Sequence, residues 1–141
     1  MIVYSDNNCP ESFLAGYGYG QSTNDARSVG TNSTSFSPGN MVTTARDLST
    51  FLRQIYNGSI LSPTDNSRLL NDMKTQVYRN GIPAGIGNSG VVADKVGFLW
   101  GLLHDAAIIY TNRGDYIIVI MTDGYSWRSI ADTTHMINER M

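Results

Sequence analysis

A serine, an aspartate and an asparagine stand together near the beginning of this sequence, as Ser5-Asp6-Asn7 directly after the apolar residues Ile2-Val3-Tyr4. Hydroxyl, carboxylate and amide groups move protons and donate hydrogen bonds to carbonyl oxygens in active sites. The same residue types also cap helices, because their side-chain oxygens accept hydrogen bonds from the free N–H groups of a first turn. The trio is therefore either a helix cap or part of an active site whose other half lies elsewhere in the sequence.

Other reactive residue types give weaker candidates. His104 and Asp105 are adjacent, and neighbouring side chains on a strand point to opposite faces, so we expect a structural role rather than a catalytic dyad. Cys9 has no basic neighbour and is predicted to be a small buried residue, not a nucleophile. With two histidines and one cysteine in the whole chain, neither a metal ion nor another cofactor is predicted.

Composition limits the class of protein. The chain has 141 residues, 41% of them hydrophobic, and its ten Lys and Arg are outnumbered by twelve Asp and Glu. This length suits one domain, and a scattered, slightly acidic charge does not suit a nucleic-acid-binding surface. The longest apolar run, Tyr116 to Met121, is too short to span a bilayer, and no signal-peptide pattern is present.

The first forty residues are rich in Gly, Ser, Thr and Asn. A short helix is predicted after the polar trio, with Pro10 in its first turn. Its predicted inner face carries Phe13, Leu14 and Tyr17. The stretch from Gly18 to Asn40 has no sustained period and is predicted to be mainly loop.

Two amphipathic helices are predicted next. The first is capped by Thr43 or Thr44 and ends at Gly58, and the second starts where Ser62 and Asp65 have capping-box spacing. The apolar residues predicted to face inward are Leu48, Phe51, Leu52, Ile55, Tyr56, Leu69, Leu70 and Met73.

Strands follow from Gly85 onwards. Two β-branched runs are joined by Asn112-Arg113-Gly114-Asp115, a pattern typical of a hairpin. Their continuous hydrophobicity indicates either burial on both faces or one face covered by helices and the other only thinly exposed. A terminal helix is predicted to pack back on the sheet through Ile130, Thr133, Thr134, Ile137 and Met141. Helices followed by three antiparallel strands and a helix make an α+β fold.

The order of four features resembles the serine β-lactamase and penicillin-binding protein superfamily, especially class A β-lactamases. These features are Ser5-Asp6-Asn7, the helix start at Thr43–Leu48, Gly81–Gly85, and Lys95-Val96-Gly97 before the hairpin. The family carries Ser-x-x-Lys, Ser-Asp-Asn and Lys-Thr-Gly motifs. The resemblance covers essentially all 141 residues, with residues 1–84 mainly helix and loop and residues 85–141 forming the strands and the last helix.

The resemblance implies a role for each matching residue. Ser5 and Lys95 would be catalytic: Ser5 would relay a proton to the leaving amine, and Lys95 would hydrogen-bond to Ser5 and place a positive charge near a substrate carboxylate. Asn7, Val96 and Gly97 would bind substrate, a β-lactam or a peptidoglycan-like small molecule. Asp6 would brace the turn. The resemblance implies no cofactor, no nucleic acid, and a parent protein exported to the periplasm, the cell surface or the medium.

Three departures from the family pattern limit these implications. Neither lysine has a serine three residues before it, so Ser-x-x-Lys is absent from this chain, and Val96 replaces a Thr or Ser that would bind a carboxylate. The stretch Val29 to Asn40 contains no acid to activate a deacylating water. We therefore expect the C-terminal portion of a larger domain, inactive by itself; the alternative is a non-catalytic binding or interaction module derived from this fold.

One structural expectation follows from the truncation. In the family fold, the strand over Tyr116–Thr122 would lie beside a first strand that this chain lacks. An apolar strand with a free edge tends to pair with another chain. The sequence therefore predicts a dimer or other self-association through Tyr116–Thr122, or an element exchanged between two copies.

Overall fold

A computed structural model describes all residues from 1 to 141 and confirms the predicted α+β fold. Its main sheet has three antiparallel strands, β3 (Gly90–Leu99), β4 (Leu102–Thr111) and β5 (Gly114–Met121), and β4 lies in the centre. The turn between β4 and β5 falls at the predicted hairpin signal. Strand β3 therefore has one free edge, and β5 has the other.

Helices cover both faces of this sheet. On one face, α5 (Ile82–Ile86) and α6 (Trp127–Asn138) pack over a core of Ile82, Ile86, Val92, Leu103, Ala107, Ile109, Ile118 and Ile130. On the other face, α3 (Ala45–Tyr56) and α4 (Pro63–Lys74) pack over Leu52, Ile55, Met73, Ala93, Ala106 and Ile108. This two-sided cover explains why the strands are apolar along their whole length.

The predicted helix boundaries of α3 and α4 are confirmed by their capping bonds. The hydroxyl of Thr44 accepts a hydrogen bond from the backbone N–H of Asp47 at 3.1 Å, and Ser62 accepts one from Asp65 at 3.1 Å. Gly58, just beyond α3, has a φ of 65°. A glycine takes this left-handed conformation without the steric cost that a side chain would add.

The prediction of a loop between Gly18 and Asn40 is wrong. After α1 (Asn8–Tyr17), this stretch forms α2 (Tyr19–Ser28) and the first strand, β1 (Ser35–Ser37), of a small hairpin completed by β2 (Asn40–Val42). The sequence carries no periodic signal here because α2 buries no residue. Side-chain bonds hold it instead: the hydroxyl of Thr23 donates to the carbonyl of Tyr19 and accepts from the backbone N–H of Phe36.

The predicted inner face of α1 is also wrong. Phe13 is 61% exposed and Tyr17 is 49% exposed, and their rings stack on each other with centroids 5.2 Å apart. Cys9 is exposed, contrary to the prediction that it is buried. Helix α1 has no fully buried residue, and of its predicted inner residues only Leu14 is half-buried. At the other end, Met141 is 60% exposed and does not join the packing face of α6.

Two glycines in the segment Gly81–Gly85 allow close packing behind the sheet. A Cβ atom on Gly85 would lie under 3.0 Å from the carbonyl oxygen of Ala131, and one on Gly81 would lie under 3.0 Å from the carboxylate of Asp105. These two positions let α5 sit directly on α6 and on β4. None of the helices combines the length and the apolar character needed to cross a membrane.

Candidate active site

Ser5 and Lys95, which lie 90 positions apart, meet in the structure. The Nζ atom of Lys95 donates a hydrogen bond to Oγ of Ser5 at 2.6 Å and another to the carbonyl oxygen of Val96 at 2.6 Å. Lys95 lies on β3, the edge strand of the sheet. The structure thus brings together the two residues that the sequence predicts to be catalytic.

The backbone around Ser5 is held in an unusual conformation. Ser5 has a φ of 53°, in the left-handed region that non-glycine residues rarely occupy. Such a conformation costs about 1–3 kcal/mol and persists only where surrounding contacts impose it. The residues before Ser5 supply those contacts, because the N–H of Val77 donates to the carbonyl of Val3 at 3.0 Å and Ile2 packs against the core. Backbone strain of this kind is common at functional sites.

Asp6, not Ser5, caps the first turn of α1. Its carboxylate accepts hydrogen bonds from the backbone N–H of Cys9 at 3.2 Å and from the side chain of Asn8 at 3.3 Å, so it braces the turn as predicted. Asn7 occupies the N-cap position, yet its exposed side chain makes no capping bond. The capping role therefore leaves the hydroxyl of Ser5 and the amide of Asn7 available to a ligand.

Val96 and Gly97 differ in what they offer to a substrate. The side chain of Val96 is only 3% exposed, and it lies on the face of the sheet opposite Lys95 because successive strand residues alternate. Gly97 is exposed, and a Cβ atom there would meet nothing within 4 Å. Of the residues predicted to bind substrate, Asn7 and Gly97 are thus open to solvent, whereas the side chain of Val96 is turned away.

Behind Lys95, a polar network is buried within the sheet. The carboxylate of Asp94 accepts hydrogen bonds from Arg79 at 2.5 Å and from the amide of Gln76, and Arg79 also donates to the carbonyl of Val92 at 3.1 Å. The side chain of Asp94 is fully buried, while that of Arg79 is 37% exposed. Asp94 and Arg79 are not among the predicted site residues, although an acid in the middle of an apolar strand indicates a buried partner.

Burial dominates the ionisation of these carboxylates. Burial, and after it the charge of the nearby Asp105, raise the pKa of Asp94 to about 8, while Arg79 and Gln76 act in the opposite direction. Burial likewise raises the pKa of Asp105 to about 6, against the hydrogen bonds that it accepts from the backbone. The short Arg79–Asp94 contact alone would suggest a firmly ionised acid. The complete burial of Asp94 outweighs a cation that is itself partly solvated.

Lys95 is also shifted by its surroundings. Burial lowers its pKa below the usual lysine value, while the charges of Asp94 and Asp105 raise it again. A lysine with a lowered pKa gives up a proton more readily, which suits a group that exchanges protons with a hydroxyl at 2.6 Å.

His104 and Asp105 have the structural roles predicted for them. Asp105 is 1% exposed, and its carboxylate accepts a hydrogen bond from the backbone N–H of Ile82 at 2.8 Å. On the other face, Nδ1 of His104 accepts one from the N–H of Thr122 at 3.1 Å. These bonds fix α5 and the end of β5 to the central strand, and the two side chains do not pair with each other.

No group of three His, Cys, Asp or Glu side chains is arranged to hold a metal ion. A surface cavity of about 480 Å³ lies beside α3 and α4 and is lined mainly by polar residues that include Asn66 and Lys74. It contains neither Ser5 nor Lys95. The candidate site at the free edge of β3 is therefore separate from this cavity.

A profile of the β-lactamase enzyme family matches residues 1–139. The chain belongs to the β-lactamase family. Comparison with curated protein sequences gives no match. The resemblance to serine β-lactamases drawn from the four sequence features is confirmed.

Solved structures of β-lactamase-like proteins share this fold. PBP-A is 25% identical, with a TM-score of 0.87 over 99% of this chain and 58% of its own length. The β-lactamase of Sphaerobacter thermophilus is 19% identical, with a TM-score of 0.87 over 99% of this chain and 59% of its own length. A mutant of PBP-A in an acyl-enzyme complex with penicillin-G is 24% identical, with a TM-score of 0.84 over 100% of this chain and 60% of its own length. This β-lactamase-family chain thus spans about three-fifths of the structures that it matches.

Proposed function

We propose that this chain forms one wall of a serine acyl-transfer site that opens β-lactams or related amides. The observation that carries the proposal is the 2.6 Å hydrogen bond between Lys95 and Ser5, two residues 90 positions apart. A helix cap or a solvated surface lysine gives no reason for that contact. The strained φ of Ser5 and the lowered pKa of Lys95 support the same reading.

In the proposed reaction, Ser5 is a proton relay and not the nucleophile. A serine of a Ser-x-x-Lys segment gives its hydroxyl proton to the lysine of that segment and attacks the substrate carbonyl, and the C–N bond breaks. The leaving nitrogen takes the proton of the Ser5 hydroxyl, which is replaced by a proton from the ammonium of Lys95. The free amide of Asn7 donates to a substrate carbonyl, and the bare backbone at Gly97 lets the substrate approach β3.

The nucleophile would come from residues outside this sequence. We propose that Ser-x-x-Lys lies in a segment encoded upstream of Met1, and we use "extended protein" for the chain together with that segment. The lack of any acid between Val29 and Asn40 further supports a slow release of the acyl group. We propose that the extended protein is exported, since its substrates would be β-lactams or peptidoglycan-like molecules outside the cytoplasm.

Val96 favours a second candidate, a binding module without catalysis. A buried valine cannot bind a substrate carboxylate at a position where the resemblance implies a hydroxyl. The coding sequence upstream of Met1 separates the two proposals. A Ser-x-x-Lys segment there supports the enzyme, and its absence supports the module.

The chain by itself is expected to be inert. Because it contains no Ser-x-x-Lys, purified protein should neither hydrolyse a chromogenic cephalosporin nor form a covalent adduct with labelled penicillin. Intact-mass spectrometry and absorbance measurements check this. A one-to-one penicilloyl adduct on the isolated chain would show that the nucleophile lies within these 141 residues and would contradict the proposal.

We also propose that the chain self-associates through β5, whose outer edge has no neighbouring strand. Light scattering at high concentration should report a dimer or larger species. Met121→Lys, at the 38% exposed end of β5, should shift the mass towards the monomer, since a charge on an edge strand disfavours pairing. Met136→Lys on α6, where methionine is 52% exposed, is the matched control and should leave the dimer intact. A monodisperse monomer for the unmodified chain would refute this prediction.

A further inference from the structure

The segment that carries Ser5 is tied to the rest of the chain by few contacts. Besides the apolar packing of Ile2, only two hydrogen bonds connect the first five residues to other parts of the protein. One is donated by Nζ of Lys95 to Ser5 itself, and the other by the backbone N–H of Val77 to the carbonyl of Val3 at 3.0 Å. The position of the Ser5 hydroxyl therefore depends on the chain around Val77.

That stretch of chain is the connector between α4 and α5, residues 75–81, and it also holds β3. The side-chain amide of Gln76 donates to the backbone carbonyl of Asp94 at 3.2 Å and to its carboxylate, and Arg79 donates to the carbonyl of Val92 at 3.1 Å. Carbonyls two residues apart point to the same side of a strand. Because β4 pairs with β3 along the opposite side, the connector lies along the edge of β3 that no strand covers.

The two halves of the candidate site share an anchor, because Gln76 and Val77 are adjacent. The carbonyl that Gln76 holds belongs to the peptide unit between Asp94 and Lys95, and a peptide unit is planar and rigid. Val77 holds the backbone two residues before Ser5. A single peptide unit of the connector thus links the backbone next to Lys95 with the segment that carries Ser5.

Neither packing nor charge pairing explains why a glutamine stands at this position. Gln76 is 2% exposed, and its Oε1 atom has no hydrogen-bond partner, which lowers stability relative to an apolar residue of the same size. The carboxylate of Asp94 has a second donor in Arg79, so it does not depend on Gln76 alone. No other side chain donates to the backbone carbonyl of Asp94.

We propose that Gln76 is a positioning residue of the acyl-transfer site, which keeps the hydroxyl of Ser5 and the ammonium of Lys95 within hydrogen-bond distance. Gln76 touches neither group and acts through the backbone on both sides of the connector. The inference rests on the proposed function for its effect on acylation, whereas its effect on the contact between the two groups can be measured on the chain by itself. A residue that only filled space in the core would change stability and leave that contact intact.

A double-mutant cycle read by NMR tests the contact directly. The chain has two lysines, so lysine labelled with ¹³C at the ε carbon gives two signals, and that of Lys74 is the internal reference. Ser5→Ala should displace the Lys95 signal, because it removes an acceptor of the ammonium. Gln76→Met keeps the length of the side chain and removes its amide. In that background the displacement caused by Ser5→Ala should fall to less than about half, since coupling between two groups is lost when they separate.

Ile118→Val is the matched control for a simple loss of stability. Ile118 is 7% exposed in the core on β5, and β4 separates it from β3. In this background Ser5→Ala should displace the Lys95 signal by the full amount. If Gln76→Met does not fold, Gln76→Asn takes its place, because an amide on a side chain one methylene shorter falls short of the carbonyl of Asp94.

The extended protein provides a second readout. At saturating penicillin, Gln76→Met should slow acylation by about 5- to 100-fold, because a misplacement of about 1 Å can cost about 10²-fold in rate. The penicillin concentration that gives half of the maximal rate should change little, since Gln76 does not contact the substrate. Ile118→Val should be acylated at the unmodified rate.

An undiminished displacement of the Lys95 signal in the Gln76→Met background would overturn the inference. So would an unchanged rate of acylation in Gln76→Met, or a Lys95 signal that Ser5→Ala does not move in the otherwise unmodified chain. If the displacement falls but penicillin does not acylate the unmodified extended protein, the positioning role stands and the proposed reaction is wrong. If acylation occurs and the displacement persists, only the positioning role is wrong.

Discussion

Replacing Lys95 by methionine is expected to slow acylation of the extended protein by labelled penicillin by about 10²- to 10⁴-fold, the range over which positioned proton-transfer groups act. Methionine has a similar length and no charge, so the apolar part of the side chain is preserved. Its sulfur cannot donate to the hydroxyl of Ser5, which Lys95 contacts at 2.6 Å. Ser5 then has no neighbouring ammonium group to replace the proton that it gives to the leaving nitrogen.

Lys74→Met is the matched control for this variant. Lys74 is the other lysine of the chain, and it lies on α4 with its ammonium 4.6 Å from the centre of the Tyr110 ring. Acylation should proceed at the unmodified rate, as followed by mass spectrometry over time. Equal rates for Lys95→Met and the unmodified protein would show that the Ser5–Lys95 contact plays no part in the reaction. Ser5→Ala should cause a loss of similar size, because it removes the other half of the relay.

The stability of the chain is expected to fall as the pH rises from 5 to 8, and Asp94→Asn is expected to remove most of that fall. The pKa of Asp94 is raised from 3.8 to about 8 by burial. The folded state therefore holds a proton that the unfolded state releases above about pH 4, and folding is progressively disfavoured until the pH passes the folded pKa. Each pKa unit corresponds to about 1.4 kcal/mol, so we expect a loss of about 2–4 kcal/mol in the free energy of unfolding.

Denaturant unfolding at several pH values measures this effect. The side-chain amide introduced by Asp94→Asn cannot titrate. The amide of Gln76 can rotate to accept a hydrogen bond from it, because the oxygen of the Gln76 amide has no partner in the structure. The variant should lose less than half as much stability as the unmodified chain over the same range. Asp105, whose pKa is raised to about 6, accounts for the loss of stability that remains in the variant near the acidic end of this pH range.

Asp123→Asn is the control, since Asp123 lies exposed in the loop between β5 and α6. It should keep the full pH dependence. A chain that becomes more stable between pH 5 and 8 would mean that Asp94 is ionised throughout and that Arg79 outweighs its burial.

The main sheet and its covering helices were predictable from the sequence, for physical reasons. The apolar residues of α3 and α4, among them Leu52, Ile55 and Met73, follow helical spacing because only one face of each helix packs on the sheet. The strand residues are apolar without interruption because both faces of the sheet are covered. The meeting of Ser5 with Lys95 has no such local signal, since no periodicity links residues 90 positions apart. It was predicted through the resemblance to serine β-lactamases.

The second helix, the exposure of the first helix and the packing of the aromatic rings could not be predicted, because the contacts that form them leave no pattern in the sequence. Helix α2 buries nothing and is held by hydroxyl and carboxylate side chains, so periodicity does not mark it. Phe13 and Cys9 are exposed on helix α1, which contacts α2 but buries none of its residues. The rings of Tyr78, Phe98, Tyr125 and Trp127 pack together from three separate segments of the chain. Each ring taken alone resembles an ordinary core or rim residue.

The most direct test of the central claim is to map the site of penicillin attachment in the extended protein by peptide mass spectrometry. We expect one penicilloyl group on the serine of a Ser-x-x-Lys segment upstream of Met1, with Ser5 unmodified. Attachment to Ser5 would show that the Ser5–Lys95 pair is the nucleophilic centre and not its relay. Absence of a Ser-x-x-Lys segment, or of any adduct, would contradict the claim that this chain is one wall of an acyl-transfer site.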